Sequence, residues 1–183
     1  MTGTVLEEIR EQKHMVIPFY TGTMKRGRQS ILGAREKNLL TNRTQCKMRV
    51  FSLRENDYET VHRIFKQVFD RTKWEEDFYT AWGKRDKGGS LGAYSEDGKL
   101  LAYAITTKKE SYTFLEFFAV DPDIQGGGLG TTLLLRLLCE NPRIQLVPVN
   151  NTRLIHWYKK HGFEIIGEKK DKWGDPELLM SSF

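Results

Sequence analysis

Two features of this 183-residue sequence could do chemistry: a run of glycines between two apolar segments, and a single carboxylate inside the first of those segments. Gln125-Gly126-Gly127-Gly128-Leu129-Gly130-Thr131 holds four glycines, and the apolar block Leu133, Leu134, Leu135, Leu137 and Leu138 follows it. Glycines opening a helix let the backbone come close to a guest. The first-turn N–H groups have no partner inside the helix and the macrodipole makes that end positive, so the guest that fits is an anion. Upstream, Phe114 to Val120 is a short, aromatic-rich apolar run that suits a buried strand, closed by Asp121-Pro122-Asp123. Glu116 sits in the middle of that run, where a carboxylate costs free energy unless it has a partner or a task. A partly desolvated Glu has a raised pKa, which suits proton removal near neutral pH. The competing assignments for Glu116 are a place on an open strand face, or one end of an internal ion pair.

Two familiar phosphate cradles do not fit. A P-loop needs Lys after its last glycine, and here Thr131 follows Gly130; the dinucleotide fingerprint finds Gly128-x-Gly130 but meets Leu133 where its third glycine belongs. Gln125-x-x-Gly128-x-Gly130, after a strand ending Val-Asp-Pro, instead resembles the pyrophosphate-binding motif of the GNAT N-acetyltransferase superfamily, which holds acetyl-coenzyme A. Independently, Asn151 to Phe163 is similar to that family's Asn-x-x-Ala-x-x-x-Tyr-x-x-x-Gly-Phe signature. Asn151, Tyr158, Gly162 and Phe163 match in spacing, while Leu154 stands where Ala is usual and adds bulk beside the cofactor.

The resemblance implies a set of roles. Phe118 offers its backbone N–H to the acetyl carbonyl, and Ala119 and Val120 continue the same edge, with Val120 pairing to the pantetheine arm as an added strand. Gln125, Gly126, Gly127, Gly128, Leu129, Gly130 and Thr131 surround the pyrophosphate, and Asn151 and Tyr158 contact the coenzyme from the later helix. Tyr158 becomes the general acid for the coenzyme A thiolate, and Glu116 the base. The strand is most like that of spermidine/spermine acetyltransferases, with Glu at the same offset from the glycines. Protein-lysine acetyltransferases place their base two residues earlier, where this chain has Phe114. Acetyl transfer to an amine is direct attack on a thioester, and it needs a neutral amine, a donor for the developing oxyanion and an acid for the leaving thiolate. No metal is implied.

The acceptor is read from acids in the segments that wall it in the family. These hold Asp70, Glu75, Glu76 and Asp77 before and within a second helix, and Asp171 and Asp175 in a late hairpin. Asp70, Glu75 and Glu76 together with Glu116 are the expected acceptor contacts, which favours a small polyamine-like amine. Helix-start acids near a macrodipole are an equal explanation for Glu75 to Asp77, and Lys169, Lys170 and Lys172 pull the other way. His156 and His161 are expected to face solvent. The expected activity is that of an N-acetyltransferase, an acyltransferase for groups other than aminoacyl. Its alternatives are a protein lysine or N-terminal acetyltransferase, a non-catalytic acyl-coenzyme A-binding regulator, and a nucleic-acid-binding protein.

The elements that must position these residues can be read in order. Met48 to Arg54 alternates as a strand, and Val61, Ile64, Phe65, Val68 and Phe69 fall on one helical face. A second helix is expected from Glu75 to about Trp82. Strands follow at Ser90 to Tyr94 and Lys99 to Thr107, joined through Asp97-Gly98, and then at Tyr112 to Val120. After the glycines come a helix to Glu140 and a strand from Arg143 to Val149. A helix from Arg153 to His161, capped by Asn150 to Thr152, precedes the strands Phe163 to Glu168 and Glu177 to Ser182. The order β-α-α-β-β-β-α-β-α-β-β predicts an α/β (α+β) GNAT fold, a mixed and mostly antiparallel sheet with helices on both faces.

Charge divides the chain. Residues 1–49 carry 10 Lys and Arg against 4 Asp and Glu, leaving 19 against 20 in the rest. Residues 1–46 are therefore read as a basic extension and residues 47–183 as the catalytic domain. The extension could meet nucleic acid or an acidic partner, but no aromatic residues interleave with its arginines and a solvated arm is preferred. No apolar run approaches the roughly 20 residues needed to cross a membrane, and the acidic N-terminus lacks a signal peptide's apolar core. Cys46 and Cys139 have no metal-ligand spacing and read as reduced thiols. A cytoplasmic or nuclear enzyme follows, with homodimerisation in keeping with the family resemblance.

Overall fold

The computed structural model describes residues 48–183; the basic extension lies outside the described residues. Seven strands form one sheet in the order β1-β2-β3-β4-β5-β7-β6. They are β1 (Arg49–Ser52), β2 (Leu91–Tyr94), β3 (Leu100–Lys108), β4 (Thr113–Val120), β5 (Ile144–Leu146), β6 (Phe163–Lys170) and β7 (Pro176–Ser182). All pairs are antiparallel except β4 with β5. The helices are α1 (Tyr58–Val68), α2 (Arg71–Lys84), α3 (Leu129–Glu140) and α4 (Thr152–Lys160). The element order and the mixed sheet with helices on both faces are those expected from sequence.

Alternation along the central strands builds two cores. Tyr103, Ile105, Phe117 and Ala119 face α1 and α2, where they meet Val61, Ile64, Phe65 and Phe78. Ala102, Ala104, Leu115 and Phe118 face the other way, against Leu133, Leu134 and Leu137 of α3 and Leu154 and Tyr158 of α4. Small side chains on β3 on this second face leave room for the leucine-rich helix, and burying each of those leucines stabilises the fold by roughly 1.5–3 kcal/mol. The first face is aromatic instead. Phe65 and Phe78 lie 4.3 Å apart, with the Phe117 ring edge-on to both.

Boundaries differ from expectation where caps or prolines intervene. The second helix starts at Arg71 rather than Glu75, because Asp70 accepts from the Thr72 N–H and hydroxyl at 3.0 and 2.7 Å and so caps it. β5 is only three residues long rather than spanning Arg143 to Val149: the strand stops at Leu146, and Pro148 takes part only in an isolated bridge. The late hairpin is longer at its tip than expected, with β6 running to Lys170 and β7 starting at Pro176. Gly162, at φ +86°, ends α4 as anticipated.

Candidate active site

The parallel contact between β4 and β5 is short. Thr113, Phe114 and Leu115 pair with Ile144, Gln145 and Leu146, where β5 ends; Gln145 and Leu146 pair with β7 on the other edge. Glu116 to Val120 therefore leave one backbone edge of β4 without a neighbouring strand, as an added extended chain would need.

The glycine turn stands at the far end of that edge. Asp121 ties it down: its carboxylate accepts from Arg63 of α1 at 2.7 Å and from the Asp123 N–H at 3.2 Å. The Gln125 amide donates to the Val120 carbonyl at 3.0 Å. Gly126 and Gly128 adopt φ of +84° and +83°, a region that side chains other than glycine rarely enter. Gly128 is the N-cap of α3, so the turn feeds straight into its unpaired first-turn N–H groups. Gly130 serves packing instead: a Cβ there would lie 3.3 Å from the Val120 side chain. Phe118, Val120, Gln125, Gly126, Gly128, Leu129, Gly130, Thr131 and Trp157 enclose a cavity of about 240 Å³.

Trp157 is the wall residue that sequence reasoning misses. Its position one residue before Tyr158 carries no signal, because an aromatic on an amphipathic helix reads as core. Ala119 faces the opposite core, and Gly127, Asn151 and Tyr158 are not in the cavity wall. The Asn151 carboxamide oxygen accepts from the Arg153 and Leu154 N–H groups at 2.9 and 3.3 Å and caps α4. Leu154 is fully buried in the core and does not line the cavity, contrary to the expectation of bulk beside the cofactor.

Tyr158 is completely buried between Trp157 and Phe163, with ring centroids at 4.9 and 5.3 Å. Its hydroxyl has no hydrogen-bond partner among the described residues. Burial pushes this phenol well above its ordinary pKa, so it keeps its proton at neutral pH. The ring belongs to the same core as Leu115 and Phe118, the residues on either side of the Glu116–Phe117 pair.

Glu116 is 5% exposed. The β3–β4 register steps from Ile105 opposite Phe117 to Thr106 opposite Leu115, so Glu116 is the extra residue of a bulge. The Thr107 hydroxyl donates to Oε1 at 2.6 Å. Burial raises the carboxyl to about 7, against the lowering effect of Thr107, Lys109 and Lys169, while Asp77 adds to the rise.

The expected acceptor acids disperse. Asp70 is exposed and engaged as a cap, Glu75 accepts from the Tyr79 hydroxyl at 3.1 Å, and Glu76 faces solvent. Asp77 is the acid of α2 whose charge reaches Glu116. It is held at 3.1 Å by Lys172, while Lys169 lies 3.3 Å from Glu177 and Lys73 is 3.2 Å from Asp171. His156 is exposed, and His161 meets the Trp157 carbonyl at 2.7 Å. Among the described residues no cluster of His, Cys, Asp and Glu could hold a metal, and no helix is long and apolar enough to cross a membrane.

Comparison with known proteins bears on what this arrangement is. Residues 50–163, more than half of the chain, match the model of the acetyltransferase (GNAT) family. No curated protein matches the sequence. Among solved structures, the chain is similar to the ribosomal-protein-S18-alanine N-acetyltransferase from Escherichia coli, with a TM-score of 0.60 and 24% identity over 74% of this chain and 92% of that one. It is similar to the PaiA N-acetyltransferase from Thermoplasma acidophilum in complex with coenzyme A, with a TM-score of 0.55 and 16% identity over 74% and 98%. It is also similar to a variant of the spermidine N-acetyltransferase SpeG from Vibrio cholerae, at 0.54 and 15% over 73% and 92%. At such identities these likenesses show the fold alone.

Proposed function

The chain belongs to the GNAT acetyltransferase family, and from that membership we propose that it moves an acetyl group from acetyl-coenzyme A to a primary amine. The observation that carries this reading is the conjunction along β4. An unpaired strand edge, a left-handed glycine turn leading into α3, and a buried carboxylate lie within fifteen residues of one another, from Glu116 to Gly130.

The residues fit the coenzyme. Gly126 to Thr131 offer backbone N–H groups for its pyrophosphate, with Phe118 and Trp157 as apolar walls. The orphaned Tyr158 hydroxyl is a donor awaiting an acceptor. When bound, acetyl-coenzyme A supplies an acyl group on a thioester open to direct attack by an uncharged amine. Glu116 takes the proton from the acceptor nitrogen onto its carboxylate, and its raised pKa makes it a stronger base than an ordinary carboxylate while leaving part of it ionised at neutral pH. Tyr158 holds a phenolic proton available to a departing sulfur, and Phe118 presents its backbone N–H toward the carbonyl oxygen. The bulge sets Glu116 off the regular ladder, on the stretch of β4 beyond its last β5 pair.

For the acceptor, a small polyamine-like amine is the leading reading, supported by Asp77 of α2 acting on Glu116. An amine on a peptide chain is the second. It is favoured by the pairing of Asp77 with Lys172 and of Glu177 with Lys169, which leaves those carboxylates already neutralised. The catalytic unit is taken to begin near residue 47, so removal of residues 1–46 should leave acetyl transfer intact. The test is thiol release from acetyl-coenzyme A with spermidine, spermine, putrescine, aminoglycosides and Lys-containing peptides. Turnover on polyamines alone supports the leading reading. Turnover on peptides alone replaces it with the second, and coenzyme binding without turnover on any amine removes both.

A further inference from the structure

We infer that Thr107 is a positioning residue for Glu116: its hydroxyl, given to Oε1 at 2.6 Å across the β3–β4 pair, fixes where the carboxylate sits and how its other oxygen is aimed. The inference rests on the reading of Glu116 as the base.

The geometry follows from the bulge. Thr107 pairs with Phe114 and Thr106 with Leu115, and then the ladder skips Glu116 and resumes at Ile105 with Phe117. Thr107 lies two residues from Ile105, so both point to the α1–α2 side, the face on which Asp77 of α2 acts on Glu116. A bulged residue is released from the strict side-to-side constraint of the ladder, and its side chain needs another restraint to hold one orientation. Thr107 supplies it from the neighbouring strand. Both groups are nearly buried, at 8% and 5% exposure, so water is a poor substitute for either.

The β-branched threonine has few rotamers of its own, so it is a stiff anchor. A hydroxyl donor also favours the ionised carboxylate, opposing burial. The groups acting on Glu116 include Thr107 on β3, Lys109 in the turn after it, Lys169 on β6 and Asp77 on α2. Lys109, Lys169 and Asp77 act on it through their charge, and Thr107 makes a direct hydrogen bond.

The experiment compares Thr107→Val, which keeps the branched shape and removes the donor, with Thr107→Ser, which keeps the donor. Profiles of kcat/KM against pH are measured on full-length protein with whichever amine turns over. In Thr107→Val the acid limb is expected to move upward by about one pH unit, equivalent to roughly a tenfold loss well below the limb. The KM for acetyl-coenzyme A should not change, and Thr107→Ser should keep the wild-type limb. If Thr107→Val folds poorly, Thr107→Ala against Thr107→Ser makes the same comparison. A limb that stays in place without the donor overturns the inference, as does a Ser variant that behaves like Val. Glu116→Gln separates the two levels: a limb that survives that substitution removes the base itself, and the role of Thr107 with it.

Discussion

Replacing Glu116 with Gln should make the enzyme slower and the fold more stable, and the two effects share one cause. Burial holds the Glu116 carboxyl at about 7 rather than 4.5. Each pKa unit corresponds to about 1.4 kcal/mol, so keeping this side chain ionised inside the fold costs roughly 3 kcal/mol. The folded pKa lies above the unfolded one. The folded state is therefore favoured fully below about pH 4.5, and that advantage fades as pH rises through about 7. Glu116→Gln has no charge to bury, so its Tm should exceed that of wild type at pH 8 and converge with it near pH 4. Activity should run the other way. With a pKa near 7, about a tenth of wild-type molecules hold the ionised base at pH 6 and about nine-tenths at pH 8. Log kcat/KM should bend near pH 7, and the Gln variant should lose that bend along with about 10²- to 10⁴-fold in kcat. Differential scanning fluorimetry across pH gives the first reading, and thiol-release kinetics across the same buffers give the second. A Gln variant as active as wild type at pH 8, one that keeps the bend near pH 7, or one destabilised at pH 8 would refute the reasoning.

Three further expectations test separate parts of the site. Tyr158→Phe removes a buried hydroxyl that has no partner among the described residues, so kcat should fall while Tm holds or rises by up to roughly 1 kcal/mol of stability; a clear loss of Tm with kcat unchanged would assign Tyr158 to packing. Gly128→Val forces a β-branched residue to φ +83°, and calorimetric titration should show coenzyme A affinity lost with the α-helical signal retained. Tyr94→Phe withdraws the hydroxyl that reaches Asp57 at 2.5 Å, and urea unfolding should show a loss of roughly 1–3 kcal/mol at neutral pH. Burial works against the Asp57 charge, but Tyr94 and Arg54 together hold its carboxyl below the usual range, so this loss should shrink as pH falls below about 4.

Much of this arrangement is legible in the order of the residues alone. The helical spacing of Val61, Ile64 and Phe65, the Asp97-Gly98 turn and the glycines at 126–130 each reflect short-range physics, and each lands where the spacing places it. Glu116 stands out for a similar reason, since a carboxylate in an apolar strand must be buried with a role or exposed at a cost. What sequence could not supply depends on register. The bulge at Glu116 appears only when β3 and β4 are laid side by side, and without it Thr107 is one more threonine near the end of a strand. The acceptor acids failed to gather for the same reason: Asp70 to Asp77 read as a segment, whereas helical geometry turns Asp77 inward and Glu76 to solvent. Trp157 and Tyr158 are adjacent letters, yet one walls the cavity and the other is buried beneath it.

The central claim concerns transfer, not binding alone. The most direct measurement incubates the protein with acetyl-coenzyme A and an excess of a primary amine, then quantifies free thiol and acetylated amine together by mass spectrometry. The two products should appear in equal amounts, with neither formed by Gly128→Val. Thiol release without acetylated amine would mean that water is the acceptor, and coenzyme A bound without either product would mean that this β4 edge holds a ligand without doing chemistry on it.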